Sequence, residues 1–128
     1  MASINLLPEK KFELTTNEGA VIPGQFGTWA LKRFCDKKKL TLREVGERFQ
    51  DPSIDDAIEY ILCSIECTAR ETDKPMPMND ITLCKYIDQL GGMQSADFSR
   101  LFNHSGDETT EEKKTTENKE QETLVGTS

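Results

Sequence analysis

The stretch IDDAIEYILCSIECTA, residues 54–69, decides the fold of this chain. Its apolar residues recur at intervals of three and four, which is the spacing of one face of an α-helix. This stripe predicts burial and comprises Ile54, Ala57, Ile58, Ile61, Leu62, Ile65 and Ala69. The acidic residues of the stretch fall on the other side: Asp55, Asp56, Glu59 and Glu66. We therefore expect a mainly α-helical domain built around this helix.

A second, thinner apolar line runs along the polar side of the same helix. It consists of Tyr60, Cys63 and Cys67. A helix with two apolar lines either lies in the centre of its own domain or offers one line to a partner. The sequence leaves both arrangements open.

Shorter helices are predicted on both sides of the long one. Thr41 and Glu44 have the spacing of a capping box, Asn79 or Asp80 can cap a later helix, and Ser95 can cap the last. Together with apolar spacing, these signals predict helices over about residues 29–38, 42–49, 80–90 and 96–102.

Both ends of the chain differ from this helical middle. Residues 11–22 alternate apolar and polar side chains around a turn at 17–19, which predicts an N-terminal β-hairpin that stops at Pro23-Gly24. Residues 104–128 contain seven acids and three lysines, with only Leu124 and Val125 as sizeable apolar side chains. Such a segment cannot offset its ordering entropy, so we predict a single domain over residues 1–103 and a disordered acidic tail over 104–128.

Nothing in the sequence points to catalysis. The only histidine, His104, falls in the predicted tail, which would leave the body without an imidazole. The four cysteines are expected to be reduced thiols, and Cys63 and Cys67 have no further ligands grouped nearby. Negative charge at Asp55 and Asp56 suits a helix N-terminus for structural reasons alone. We expect no catalytic, cofactor-binding or metal site, and no membrane span.

Charge is unevenly distributed within the predicted domain. Residues 32–48 hold seven bases and three acids, whereas residues 49–103 hold four bases and ten acids. This polarity could support head-to-tail self-association, and an ordinary solvated surface is the alternative.

A DNA-binding interpretation also has some support. Residues 40–49, LTLREVGERF, resemble the first helix of a helix-turn-helix unit within the basic segment. The next helix, which would enter the major groove, begins with acids that phosphates repel. We therefore expect no nucleic-acid partner, and keep a small helix-turn-helix-like regulator as the alternative.

The order of elements resembles a known family. A hairpin, the helix start Phe26-Gly27-Thr28-Trp29, the capped helix over 42–49, the long helix over 54–69 and final short helices are similar to the tail assembly chaperones of long-tailed, siphovirus-type bacteriophages. The resemblance covers roughly residues 10–103. It implies a non-enzymatic chaperone that binds and solubilises the tape-measure protein, helps to recruit tail-tube subunits and self-associates. It also implies a location in the host cytoplasm and absence from the mature virion.

Two groups of side chains are candidates for binding such a client. One is the line Tyr60, Cys63 and Cys67, and the other is the cluster Phe98, Leu101 and Phe102 near the end of the domain. For each of them, packing within the protein's own fold is the alternative, and it is the one we favour.

Overall fold

The computed structural model describes residues 1–105, in which three β-strands precede five α-helices. The strands are β1 (Ser3–Leu7), β2 (Lys11–Thr15) and β3 (Val21–Gln25). The helices are α1 (Thr28–Lys38), α2 (Leu42–Gln50), α3 (Ile54–Glu71), α4 (Asp80–Leu90) and α5 (Ala96–His104). The predicted helical character is confirmed. The predicted disorder of the tail falls on residues 106–128, outside the described part.

The N-terminal element is a three-stranded antiparallel sheet in the order β1-β2-β3, so the prediction of a two-stranded hairpin was incomplete. Strand β1 was missed because the turn after it carries no glycine or asparagine. Glu9 and Lys10 both have φ of 62°, a left-handed conformation that such residues rarely adopt. Strand β3 also continues through Pro23, where the sequence predicted a stop. Proline is tolerated there because β3 is an edge strand.

Helix α3 lies in the centre of the domain. It packs against β3 and against α1, and Thr68 Oγ1 donates a hydrogen bond to the Pro23 carbonyl at 2.6 Å. The predicted apolar stripe is buried except for Ile54, which is 64% exposed because it begins the helix. On the opposite line, Tyr60 and Cys63 are buried too. Cys67, the third residue of this line, is half-buried, so the protein's own fold covers most of the second apolar line.

The prediction for Asp56 was also wrong. The sequence pattern placed Asp56 on the polar side of α3, opposite the apolar stripe, but only 3% of the residue is exposed. Its carboxylate accepts hydrogen bonds from Arg48 Nη1 at 3.1 and 3.3 Å and lies 3.5 Å from Lys38 Nζ. Because Lys38 ends α1 and Arg48 lies in α2, this one carboxylate joins three helices.

The helix caps follow the sequence closely. The capping box of Thr41 and Glu44 is present at the start of α2, and the side chains of Asn79 and Ser95 cap α4 and α5. Helix α4 ends at Gly91 in the left-handed conformation, with φ of 113°. These predictions are confirmed, because capping depends on residues close in sequence.

His104 belongs to the folded body and not to the tail. It is the last residue of α5, and its Nε2 lies 2.9 Å from the Leu7 carbonyl and 3.1 Å from the Lys11 carbonyl. Carbonyl oxygens only accept, so this nitrogen carries the donated proton. At the other end of β1, the Tyr86 hydroxyl donates to the Ser3 carbonyl. The prediction that the body lacks an imidazole was wrong, and α4 and α5 hold edge strand β1 at both ends.

Two glycines provide a matched test of the packing. A Cβ at Gly24 would lie 2.2 to 2.9 Å from three ring atoms of Phe12, its cross-strand partner, whereas a Cβ at Gly46 meets nothing within 4 Å. We expect Gly24→Ala to lower the free energy of unfolding by about 1–3 kcal/mol. Gly46→Ala, in α2, should raise it by about 0.5–1 kcal/mol. Urea unfolding measures both, and equal effects of the same sign would contradict this account of the sheet.

Asp56 and its neighbour Asp55 form a second matched pair. Removing the buried carboxylate with Asp56→Ala leaves Arg48 and Lys38 without their shared partner, which should cost about 1–3 kcal/mol of stability. Asp55 also pairs with Lys38, but its side chain is 77% exposed, so Asp55→Ala should cost less than about 1 kcal/mol. Thermal and urea unfolding of the two variants compare them directly. A larger loss for Asp55→Ala would refute the assigned role of Asp56.

Candidate partner-binding groove

A cavity of ≈ 950 Å³ opens between the β1–β2 turn, the start of α1, the apolar side of α2 and the end of α5. We call it the α2–α5 groove. Its apolar lining consists of Leu31, Leu42, Val45, Phe49, Tyr60 and Phe102. Polar lining comes from the turn, the start of α1, the end of α2 and the residues around the end of α5, and includes Lys10, Thr28, Gln50, Asn103 and Ser105.

The floor of the α2–α5 groove is part of a continuous aromatic cluster. Tyr60 lies 5.3 Å from Phe26 and 5.0 Å from Phe49, measured between ring centroids, and Phe49 lies 6.0 Å from Phe102. Phe34 packs on the same tyrosine at 5.8 Å. Aromatic pairs in such geometries contribute about 0.5–1.5 kcal/mol beyond their buried area. The floor is therefore anchored in the core, and a ligand would meet a preformed surface.

The rim of the groove is different, because it exposes an apolar side chain. Leu42, the first residue of α2, is 68% exposed, although its spacing places it on the same helix face as Val45 and Phe49. Val45 is buried and Phe49 half-buried, so apolar character runs from the exposed rim to the floor. A partner with an apolar side chain could bury the rim and contact the rings together.

The charge of the groove is distinct from that of the protein. The chain has a formal net charge of −7. Yet among the described residues that line the groove, Lys10 is the only one with a charged side chain at neutral pH, and none is Asp or Glu. Among these described lining residues, no carboxylate opposes an apolar ligand that is flanked by acidic groups.

Tyr60 is a neutral group in this floor. Burial raises its pKa to about 12, and a hydrogen bond with the Gly27 backbone opposes that shift without cancelling it. A phenol with such a pKa stays protonated near neutral pH. It can contribute a hydrogen bond or a ring surface, but it is poorly suited to accept or release a proton.

The pKa values of three cysteine thiols are raised, as is that of Tyr60. Burial, together with the nearby Glu59 carboxylate, raises the pKa of Cys63 to about 12. Burial also raises the pKa of Cys35 and of Cys67. Since the thiolate is the nucleophilic form, these cysteines are weak nucleophiles. Within residues 1–105, no three His, Cys, Asp or Glu side chains are grouped so that they could hold a metal ion.

The structure separates the six residues proposed from sequence to bind a partner. Only Tyr60 and Phe102 line the α2–α5 groove. Cys63 is fully buried, Cys67 is half-buried further along α3, and Phe98 and Leu101 face the core. The partner-binding role of the six residues stays a prediction. Tyr60 and Phe102 are the two of them that a ligand in the groove could contact.

The other apolar residues of the groove were not among the six predicted to bind a partner. Leu42, Val45 and Phe49 have the i, i+3, i+7 spacing of one face of α2, but this spacing does not show how much of the face a neighbouring element covers. The groove arises because α5 covers only part of this face of α2. These two helices are about 50 residues apart, so no pattern within either helix predicts how they pack. Leu31 was missed for the same reason.

Comparison with protein-family models, with curated proteins and with solved structures finds no match to this chain. Within the described part, none of the helices has the length and apolar character that crossing a membrane requires.

The raised pKa of Tyr60 can be measured directly, because the chain contains only two tyrosines. Burial raises the pKa of Tyr86 to about 12 as well. Ultraviolet absorbance should therefore show almost no phenolate in the folded protein near pH 10, where unfolded tyrosine is about half ionised. Ionisation favours the unfolded state, so this stability is complete below about pH 10 and is lost as the pH rises towards 12.

Two single variants assign the titration. Tyr60→Phe and Tyr86→Phe should each remove about half of the phenolate signal and make the alkaline loss of stability shallower. A phenolate signal with a midpoint near pH 10 that is lost in Tyr60→Phe, in protein that is still folded by circular dichroism, would show that Tyr60 is not buried as described.

Proposed function

We propose that this protein is a non-enzymatic tail assembly chaperone. It binds and solubilises a tape-measure protein in the host cytoplasm, helps to recruit tail-tube subunits and leaves before the virion is mature. The observation that carries the proposal is the α2–α5 groove, a preformed apolar surface with an aromatic floor, an exposed leucine at its rim and no carboxylate among the described residues that line it. The resemblance in element order identifies the kind of client.

Such a groove suits an amphipathic helix. A helical client presents apolar side chains at i, i+3 or i+4, and i+7, and these can enter an apolar groove in succession. With a volume of ≈ 950 Å³, the groove can hold a few such side chains and not a whole helix. Affinity per site would be modest. A long client bound by many copies gains from the high effective concentration of neighbouring sites.

The geometry does not favour the alternative of a DNA-binding regulator. A recognition helix must present one free face to the major groove. Helix α3, which takes that position in the helix-turn-helix interpretation, is buried along both of its apolar lines. The acids Asp55 and Asp56 at its start also meet cations of the same domain instead of leaving a basic surface.

Self-association is part of the proposal, but the charge polarity of the sequence is a weak basis for it. The basic segment 32–48 is largely paired within the domain, since Arg33 contacts Glu66, Lys37 contacts Glu59 and Arg48 contacts Asp56. Charged side chains that form ion pairs within one domain contribute less to the attraction between two copies. We therefore assign association to neighbour contacts between copies bound along one client.

Co-expression tests the function and the groove separately. The wild-type protein should raise the soluble fraction of the tape-measure protein from the same genome several-fold. Leu42→Glu places a charge at the apolar rim and should abolish most of that gain while the fold is retained. Ile81→Glu is the matched control, because Ile81 is 63% exposed on α4 and does not line the groove.

The outcomes of this experiment are distinct. If wild-type protein leaves the tape-measure protein insoluble, the proposed function is wrong. If wild type and Leu42→Glu solubilise it equally, the client binds elsewhere and the groove has been misassigned. Loss of activity in both variants would point to a general effect of added charge.

A further inference from the structure

We propose that, in the absence of a client, the α2–α5 groove of one copy is occupied by α2 of a second copy of this chain. The two α2 helices run antiparallel across a two-fold axis, so each copy supplies the ligand for the groove of the other. Three features of α2 carry this inference: an exposed leucine, a glycine in the middle of the helix, and two charged side chains beside them.

The side of α2 that lines the groove has the pattern of the helical ligand that an apolar groove accepts. Leu42, Val45, Gly46 and Phe49 line the groove and recur at i, i+3, i+4 and i+7. Leu42 is 68% exposed and Phe49 is half-buried, so residues 1–105 leave part of this side uncovered. An antiparallel α2 from a second copy places its Leu42 over Phe49 of the first, and the two-fold axis repeats that contact.

Gly46 is the second feature, because nothing within residues 1–105 requires a glycine there. It lies in the middle of α2, its φ is not positive, and a Cβ at this position would meet nothing within 4 Å. A glycine in a helix interior is less favourable than an alanine. It does leave a gap in the layer of side chains, and two helix axes come closest, at about 8 Å, where small side chains meet. This gap faces the groove and fits a second helix that crosses α2 at Gly46.

The charges beside the groove identify a second copy as the partner. Arg43 and Glu47 each follow a groove residue by one position and are four residues apart, so they share one flank of α2. Both are exposed, and neither forms an ion pair within residues 1–105. With the two-fold axis near Val45, Arg43 of each copy faces Glu47 of the other. A parallel pair would bring Arg43 against Arg43, so the charges select the antiparallel arrangement.

The contact is small, which sets the strength of the dimer. Helix α2 has nine residues and is therefore roughly 13 Å long. Interfaces of this size belong to the weak, transient class. We expect a dissociation constant on the order of 10–100 μM.

A tape-measure helix would need the same groove, so it would compete with the second copy. This consequence rests on the proposed function, whereas the dimer itself involves only residues of this chain. The dimer is also distinct from the contacts between copies along one client, because it forms when no client is present.

Sedimentation equilibrium of the full chain tests the charge arrangement. Arg43→Glu places like charges at both contacts and should weaken dimerisation about tenfold or more. The double variant Arg43→Glu, Glu47→Arg exchanges the two charges and should restore the affinity to within about threefold of the wild type. Lys85→Glu is the matched control, because it makes the same change of charge at an exposed position of α4 outside the groove, and it should leave the dimer unchanged.

Gly46→Gln provides a second measurement in which stability and association change independently. Glutamine is a better helix former than glycine, so urea unfolding of the dilute, monomeric variant should show equal or greater stability than the wild type. Its side chain fills the gap and should weaken dimerisation about tenfold or more. A variant that only damaged the fold would lose stability as well.

Several results would overturn the proposal. One is a wild-type protein that stays monomeric at about 1 mM, far above the expected dissociation constant. Another is a dimer that Arg43→Glu and Gly46→Gln leave intact, or that Lys85→Glu weakens equally, since the contact would then not be at α2. A third is a folded double variant in which exchanging the charges fails to restore the dimer. Because no tape-measure protein is present, these results are independent of the co-expression experiment.

Discussion

The burial of α3 from two sides is the constraint on which the rest of the structure depends. Both apolar lines of this helix must be covered, and the sheet and the neighbouring helices α1 and α4 pack against it, because an apolar surface of that length is costly to leave in water. Tyr60 shows the consequence. Its ring contacts Phe26 at the end of the sheet, Phe34 in α1 and Phe49 in α2. The elements around α3 are thus joined through a single buried side chain.

Burying both sides of a helix also brings its polar side chains into the interior, and the domain satisfies them from neighbouring helices. Asp56 is held by Arg48 and Lys38, and Glu66 lies between Arg33 and Arg70. Burial alone would raise the pKa of Glu66, but hydrogen bonds from the two arginines lower it overall. Arg33, Lys38 and Arg48, which belong to the basic segment 32–48, therefore form ion pairs with acids of α3.

Interactions between residues close in sequence could be predicted, whereas interactions between residues far apart in sequence could not. Capping by Thr41, Asn79 and Ser95 involves residues three apart, and the apolar period of α3 is repeated over four turns, so both were readable. The placement of Asp56 was not, because its partners lie in other helices. Strand β1 was missed because its turn uses left-handed Glu9 and Lys10. The α2–α5 groove was missed because it is defined by what α5 leaves uncovered.

The missed strand proves important for the groove itself. The β1–β2 turn is strained, since a left-handed conformation costs an ordinary residue about 1–2 kcal/mol, and its contacts give a reason for that cost. The Lys10 carbonyl accepts a hydrogen bond from the Phe26 amide at 3.0 Å, just before α1, and the Lys11 carbonyl lies 3.1 Å from the His104 ring at the end of α5. The turn therefore fixes the start of α1 relative to the end of α5, two walls of the groove, while Lys10 supplies its charge. The groove, whose apolar lining comes from helices, therefore depends on the sheet for its shape, so changes in the turn should alter the groove before they alter the helices.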